Sequence, residues 1–144
     1  MKKIALLIVI VLSLYGYLDN NPDLIQSFTK QSTTDDSTLA SAYENRISDI
    51  QVGGSGVVIR NLADDTSGSR HQKFILKLSS GQALLISHNI DLAPRINSLR
   101  KGDTVSFYGE YEWNSKGGVV HWTHHDPRGK HVGGWLKHNG VTYQ

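Results

Sequence analysis

The chain of 144 residues contains no cysteine. This absence excludes disulfide bonds, thiolate metal ligands, a cysteine nucleophile and a lipid anchor attached to cysteine. An exported protein without disulfides must be stabilised by its apolar core alone. The length is sufficient for one domain with a modest core and too short for two comfortable ones.

The chain also lacks a strong net charge, since its formal charge is +2 at neutral pH. The charge is unevenly distributed, with six acids and two bases in residues 19–50 but eleven bases and seven acids in residues 51–144. A mildly basic domain behind an acidic leader suits an anionic partner, although many nucleic-acid-binding domains are far more basic.

The amino terminus has the layout of an export signal. Lys2 and Lys3 precede an apolar run from Ile4 to Leu14. A basic start followed by a short apolar region is typical of a secretory signal peptide, and a membrane-spanning helix needs about 20 apolar residues. We expect residues 1–18 to direct export to the periplasm or the medium, as a signal peptide or as an inner-membrane anchor formed by residues 4–18.

Two further segments follow this signal. Residues 19–36 are rich in Asp, Asn, Ser and Thr, which predicts a polar spacer. Residues 37–144 form the predicted domain. Its first segment, residues 37–47, places apolar side chains on one helical face and predicts a short helix packed on the domain edge.

From Ile50 onward the pattern changes to short strands separated by turns. Apolar and polar residues alternate in "HQKFILKL", as expected for a half-buried strand. Five antiparallel strands with a connector between the third and fourth are the layout of the OB-fold. The predicted fold class is therefore mostly β, a small five-stranded OB-like barrel with a short N-terminal helix. The predicted strands are residues 52–60, 72–79, 82–88, 103–113 and 118–125, followed by an irregular C-terminal segment.

Four segments carry a resemblance to a known family: "GSRHQKFIL", "HNIDLAPRI", "GDTVSFYGEYEWNSKGG" and "HWTHHDPRGKHVGGWLKHNG". Over residues 45–144 the chain resembles the small exported bacterial proteins catalogued as domain of unknown function 3465. The resemblance implies a bacterial, exported, single-domain protein. It implies no activity.

Aromatic and cationic residues near the fourth and fifth strands favour a binding surface. OB barrels bind oligonucleotides and oligosaccharides, and aromatic faces beside cations suit single-stranded nucleic acid or sugar polymers. The leading hypothesis is therefore an exported binding module for an anionic or sugar-containing polymer. About half of the aromatic residues could instead fill the barrel core. The candidate ligand-binding residues are Lys73, Tyr111, Trp113, Trp122, His124 and Arg128.

The seven histidines support a second hypothesis, a histidine-dependent phosphodiesterase or nuclease. Such an enzyme uses one imidazole as base, another as acid, and a cation for the phosphate charge. No carboxylate pair is evident beside the histidines. His88 continues an apolar alternation and could be a core residue, and Arg95 could pair with Asp91. The candidate catalytic residues are His121, His124, His71, His88 and Arg95.

A third hypothesis is a metal-binding envelope protein. On an extended fifth strand, His121 and His125 share a face but lie roughly 13 Å apart at Cα, at or beyond the limit for sharing an ion. The candidate metal ligands are therefore His124, Asp126 and His131, with zinc as the candidate ion. Their spacing matches no established ligand signature, and the sequence predicts no other cofactor.

Overall fold

The computed structural model describes residues 2–23 and 36–144. The chain divides into two compact units, Met1–Thr34 and Asp35–Gln144. In the first unit, helix α1 spans Lys2–Asp19. No helix within the described residues combines the length and the apolar character that a membrane crossing requires. Most of the predicted spacer, residues 24–35, lies outside the described part of the chain.

The second unit contains helix α2, described over residues 36–44, and seven strands. Asp36, which the sequence pattern assigned to the spacer, lies in this helix and is buried. Its carboxylate accepts hydrogen bonds from the Ser79 hydroxyl and the Ser80 backbone N–H. The strands are β1 Ile50–Asn61, β2 His71–Lys77, β3 Ala83–Asn89, β4 Thr104–Glu112, β5 Val119–His121, β6 Trp135–His138 and β7 Val141–Tyr143.

Five of these strands close a barrel. The hydrogen-bonded order β1-β2-β3-β5-β4 returns to its first strand through the β1–β4 pairing. The β3–β5 pair is parallel and the other pairs of the ring are antiparallel. Strand β1 can pair with both neighbours because it has 12 residues: residues 50–57 pair with β4, and residues 57–61 pair with β2 across a bulge between Val58 and Arg60. The predicted OB-like barrel is confirmed.

The barrel interior is filled by alternate residues of each strand. Strands β2, β3 and β4 each show strict alternation of buried and less buried positions, the pattern of a sheet with one face on a core. Helix α2 adds Leu39 and Ala42 to this core. The largest fully buried side chains are Tyr111, Phe74, Phe107, Leu39, Leu76, Leu84, Ile86, Ile96 and Leu136.

Several details differ from the sequence-based prediction. All five barrel strands were expected to be antiparallel, but the β3–β5 pair is parallel. The fifth strand ends at His121 instead of residue 125, because Trp122 has a φ of +54° and leaves the extended conformation. The C-terminal segment, predicted to be irregular, forms the hairpin of β6 and β7, with Asn139 and Gly140 both at positive φ in its turn. An Asn-Gly pair favours this two-residue turn because both residues tolerate the left-handed region.

Tyr111 belongs to the core and cannot serve as the predicted ligand-binding residue. Its side chain is fully buried, and its hydroxyl donates a hydrogen bond to the Gly117 carbonyl at 3.3 Å. The ring also packs so closely on Gly118 that a Cβ there would lie 2.1 Å from it. This contact is possible because Gly118 has no side chain.

Replacing Tyr111 with alanine should therefore destabilise the barrel by about 3–5 kcal/mol, the cost typical of removing a large buried aromatic ring. Tyr108→Ala is the matched control, since Tyr108 lies on the outer face of the same strand. Urea unfolding of the full-length variants measures both effects. An equal or larger loss for Tyr108→Ala would contradict the assignment of Tyr111 to the core.

His88 is a satisfied core histidine, as the alternation of β3 suggested. It is fully buried, with Nε2 3.1 Å from the Pro94 carbonyl and Nδ1 2.8 Å from the Thr123 hydroxyl. A carbonyl oxygen only accepts, so Nε2 carries the proton and Nδ1 accepts from Thr123. Burial lowers the pKa of His88 to about 4, against the weaker opposing effect of the bond to Pro94.

This depressed pKa predicts acid sensitivity. Between pH 6.5 and 4 the unfolded chain binds a proton at His88 that the folded chain does not, so the free energy of unfolding falls as pH is lowered through this window. The full effect is roughly 3 kcal/mol. His88→Gln should remove most of this slope in urea unfolding measured from pH 4 to 7. His125→Gln, at an exposed histidine, should retain it, and an unchanged slope in His88→Gln would refute the assignment.

Candidate metal site on the outer face of the barrel

Strand β4 turns two glutamates to the outside of the barrel. Phe107 and Tyr111 are buried, whereas Tyr108, Glu110 and Glu112 are partly exposed. This division follows from the two-residue period of a strand. The outer face of β4 therefore presents two carboxylates on neighbouring outward positions.

The strand register places a histidine and an amide beside Glu110. Gln51 of β1 is opposite Glu110 on one side, and His121 of β5 is opposite it on the other. Strand β5 can approach closely because residue 109 is glycine: a Cβ there would lie 2.4 Å from the His121 carbonyl oxygen. Gln51, Glu110 and His121 thus form a row across three strands.

The side chains of Glu110, Glu112 and His121 converge. One ligand atom from each, His121 Nε2 and two carboxylate oxygens, lies within 4.8 Å of the others. The Nε2 atom is 3.5 Å from Glu110 Oε1 and 3.8 Å from Glu112 Oε1. Within the described residues, only two buried side-chain polar atoms make no hydrogen bond, and they are His121 Nε2 and Gln51 Oε1. Both belong to the cross-strand row.

These separations suit a bound ion better than direct hydrogen bonds. A charge-assisted hydrogen bond between nitrogen and oxygen is about 2.7–2.9 Å long. Two ligands of a tetrahedral ion with bonds of about 2.0–2.1 Å lie about 3.3 Å apart. The distances of 3.5 and 3.8 Å at His121 are close to this ligand–ligand spacing.

His131 fixes the second oxygen of Glu110. Its Nε2 lies 2.6 Å from Glu110 Oε2, and its Nδ1 lies 2.8 Å from the Val132 carbonyl oxygen. Both partners only accept, so both ring nitrogens donate. Burial opposes the charge, but the bonds to Glu110 and Val132 raise the pKa of His131 above its usual value. The contact leaves Glu110 Oε1 directed toward His121.

The segment after β5 brings His131 back to the barrel. Trp122 has a φ of +54°, and its ring stacks on His131 with centroids 3.9 Å apart and planes inclined by 9°. Asp126 closes the loop, because its carboxylate accepts hydrogen bonds from the backbone N–H groups of Arg128, Lys130 and His131. The loop therefore has a defined conformation where it reaches Glu110.

The ligand oxygens of Glu110 and Glu112 lie within 4.8 Å of each other, so the two carboxylates repel each other when both are ionised. Two unit charges 4.8 Å apart repel by roughly 1 kcal/mol in water and roughly 3 kcal/mol at an effective dielectric constant of about 20. Burial, together with the neighbouring Asp49 carboxylate, raises the pKa of Glu112. A divalent cation between the carboxylates would remove this repulsion and satisfy His121 Nε2.

The predicted metal ligands do not assemble as expected. Asp126 is occupied by the three backbone donors of its loop, and His124 is buried with Nδ1 2.7 Å from the His125 carbonyl. His131 supports Glu110 instead of meeting the other two. In the described residues, Glu110, Glu112 and His121 are the one such group whose ligand atoms converge.

The predicted catalytic residues do not come together either, because some lie inside the barrel and others on its outer face. His88 points inward, whereas His121 lies on the outer face. His71 Nδ1 lies 2.8 Å from the Ser69 carbonyl. Arg95 forms an ion pair with Asp64 at 3.0 Å, so the expected Arg95–Asp91 pair is wrong.

Asp91 pairs with Arg70 instead, at 2.7 Å.

Most of the remaining ligand-binding candidates already make contacts within the protein. Lys73 pairs with Asp65 at 3.6 Å. The indole N–H of Trp113 donates to the Tyr43 carbonyl, and the guanidinium of Arg46 lies over the ring. Trp113 thus packs α2 on the barrel.

Trp122 supports His131, and Arg128 is exposed on the loop closed by Asp126.

Sequence reasoning missed Glu110 and Glu112, although the signal was present. In "GEYEW" the two acids are separated by one aromatic residue, and alternation on a strand places both on one face. The expectation that no carboxylate pair stands beside the histidines is therefore wrong. Alternation along the sequence could not predict that His121 lies beside Glu110, because this contact depends on the register between β4 and β5.

Comparison with known proteins gives the family and no chemistry. The family model described as "Protein of unknown function (DUF3465)" matches residues 23–144. No curated protein matches the chain. The match covers most of the chain, including the whole barrel and the candidate site, and agrees with the resemblance of the four segments. This chain belongs to the DUF3465 family.

Proposed function

We propose that this protein binds a divalent transition-metal ion of the zinc class through Glu110, Glu112 and His121. The observation that carries the proposal is His121 Nε2, a buried nitrogen without a hydrogen bond, held 3.5 and 3.8 Å from two carboxylate oxygens. The support for His131 as a residue that orients Glu110 is their 2.6 Å contact. Ligating carboxylates in metal sites are commonly held by such outer hydrogen bonds.

The ligand types indicate the class of ion. Imidazole together with carboxylate suits zinc, manganese or iron, whereas magnesium and calcium prefer oxygen ligands alone. The chain has no cysteine, so a thiolate site of the structural zinc type is excluded. Three protein ligands leave a coordination position for water or another molecule, which is typical of catalytic zinc sites. A hydrolase is the function class that such an open position favours.

Zinc titration of the untagged full-length chain tests this proposal. Isothermal calorimetry should detect one site per chain in the wild type. Glu112→Gln and His121→Ala should abolish this binding, because each removes one of three ligands. His131→Ala should weaken it about 10- to 100-fold, as is typical for loss of an outer hydrogen bond to a ligand.

The controls are His125→Ala and Glu44→Gln, which alter an exposed histidine and an exposed glutamate and should bind zinc like the wild type. Circular dichroism verifies that every variant is folded. Absence of zinc binding to the wild type, or equal losses in the control variants, would refute the proposal.

We propose in addition that the protein acts outside the cytoplasm. The support is the arrangement of Lys2 and Lys3 before the apolar run of α1, which is typical of export signals. Alkaline phosphatase fused after Gln144 should be active in bacteria expressing the full chain and inactive when residues 2–18 are deleted. Activity of a reporter that functions only in the cytoplasm, fused at the same position, would refute export.

A further inference from the structure

The outer face of β4 continues from the candidate metal site as an ordered row of side chains. Tyr108 lies two residues before Glu110 and pairs with Trp135 of β6, and Ser106 pairs with Lys137. Outward positions on a strand are spaced by about 7 Å. Along the backbone of β4, the aromatic pair is thus about 7 Å and the Ser106–Lys137 pair about 14 Å from the position of Glu110.

The aromatic pair forms a platform that solvent can reach. The rings of Tyr108 and Trp135 have centroids 6.3 Å apart with planes inclined by 25°, and both residues are partly exposed. Lys137 Nζ lies 4.6 Å from the centroid of the Trp135 ring. Aromatic faces with a neighbouring cation are the elements that bind the bases and phosphates of single strands.

The loop that leads to His131 carries two further cations. Arg128 and Lys130 are exposed on the loop that Asp126 closes. This loop ends at His131, which contacts Glu110. A bound divalent ion would offset the charge of Glu110 and Glu112, so this acidic pair would no longer repel an anion that approaches Lys137 and the cations of the loop.

We infer that single-stranded nucleic acid binds along this face, with a phosphate at the metal ion and a base on Tyr108 and Trp135. The inference rests on the proposed metal site and names its ligand. A phosphodiester chain fits because it supplies an anionic oxygen for the open coordination position and a flat base one row further along. A neutral oligosaccharide would use the aromatic rings and leave the three cations without partners.

Fluorescence anisotropy of a labelled 12-residue oligothymidylate, with the full-length chain and zinc, tests this inference. The wild type should bind with zinc and lose binding when the ion is chelated, because the two glutamates then repel the phosphates. Trp135→Ala should bind roughly tenfold more weakly or worse, and Trp135→Phe should recover most of the loss. Lys137→Ala should reduce the slope of log affinity against log salt by about 0.7.

The matched control is Lys77→Ala, which removes an exposed lysine from β2 and should bind like the wild type. Calorimetry should show unchanged zinc binding by Trp135→Ala and Lys137→Ala. A failure of the nucleic-acid inference can therefore be distinguished from a failure of the metal-site proposal. Zinc binding without oligonucleotide binding would overturn the inference and leave the metal site intact. Equal oligonucleotide binding with and without zinc would overturn the inferred contact between a phosphate and the metal ion. Binding of chitohexaose in place of the oligonucleotide would identify a saccharide ligand and overturn the inference.

Discussion

Strand β4 is hydrogen-bonded along both edges, to β1 on one side and to β5 and β6 on the other. Its two faces have different roles. Phe107 and Tyr111 enter the core, whereas Tyr108 and Glu110 face outward. A slip of one residue would exchange the two sets and bury a carboxylate. The packing of the core therefore fixes the register that brings Glu110 and Glu112 beside His121.

The candidate site has a local charge opposite to that of its surroundings. The barrel segment, residues 51–144, carries a net charge of +4, yet Glu110, Glu112 and Asp49 lie together at its surface. Other acids on the domain form local ion pairs with arginine, as in Arg70–Asp91 and Arg95–Asp64. An acidic cluster whose neighbouring imidazole nitrogen has no hydrogen bond differs from these pairs, and the proposed cation would neutralise its charge and bind this nitrogen.

The fold was predictable because its signals are local. Alternation in β2, β3 and β4 and the turns between them indicated the strands and hence the barrel, and the Asn139–Gly140 turn could have indicated β6 and β7. The site was less predictable because it depends on long-range register. His121 and Glu110 are brought together by the β4–β5 pairing, and His131 reaches Glu110 only because the chain turns at Trp122. A strand that remained extended through residue 125, as the pattern predicted, would not return His131 to Glu110.

The backbone conformation of Trp122 has a consequence for how this protein could be stabilised. A residue with a side chain held at positive φ costs about 1–3 kcal/mol, a considerable part of the 5–15 kcal/mol that stabilises a typical domain. Glycine would adopt the same conformation without this cost, but it would remove the ring that stacks on His131. The ring contacts with His124 and His131 offset the strain of the backbone at this residue. A substitution that relaxed the backbone at position 122 by removing the ring would leave the imidazole beside Glu110 without its aromatic support.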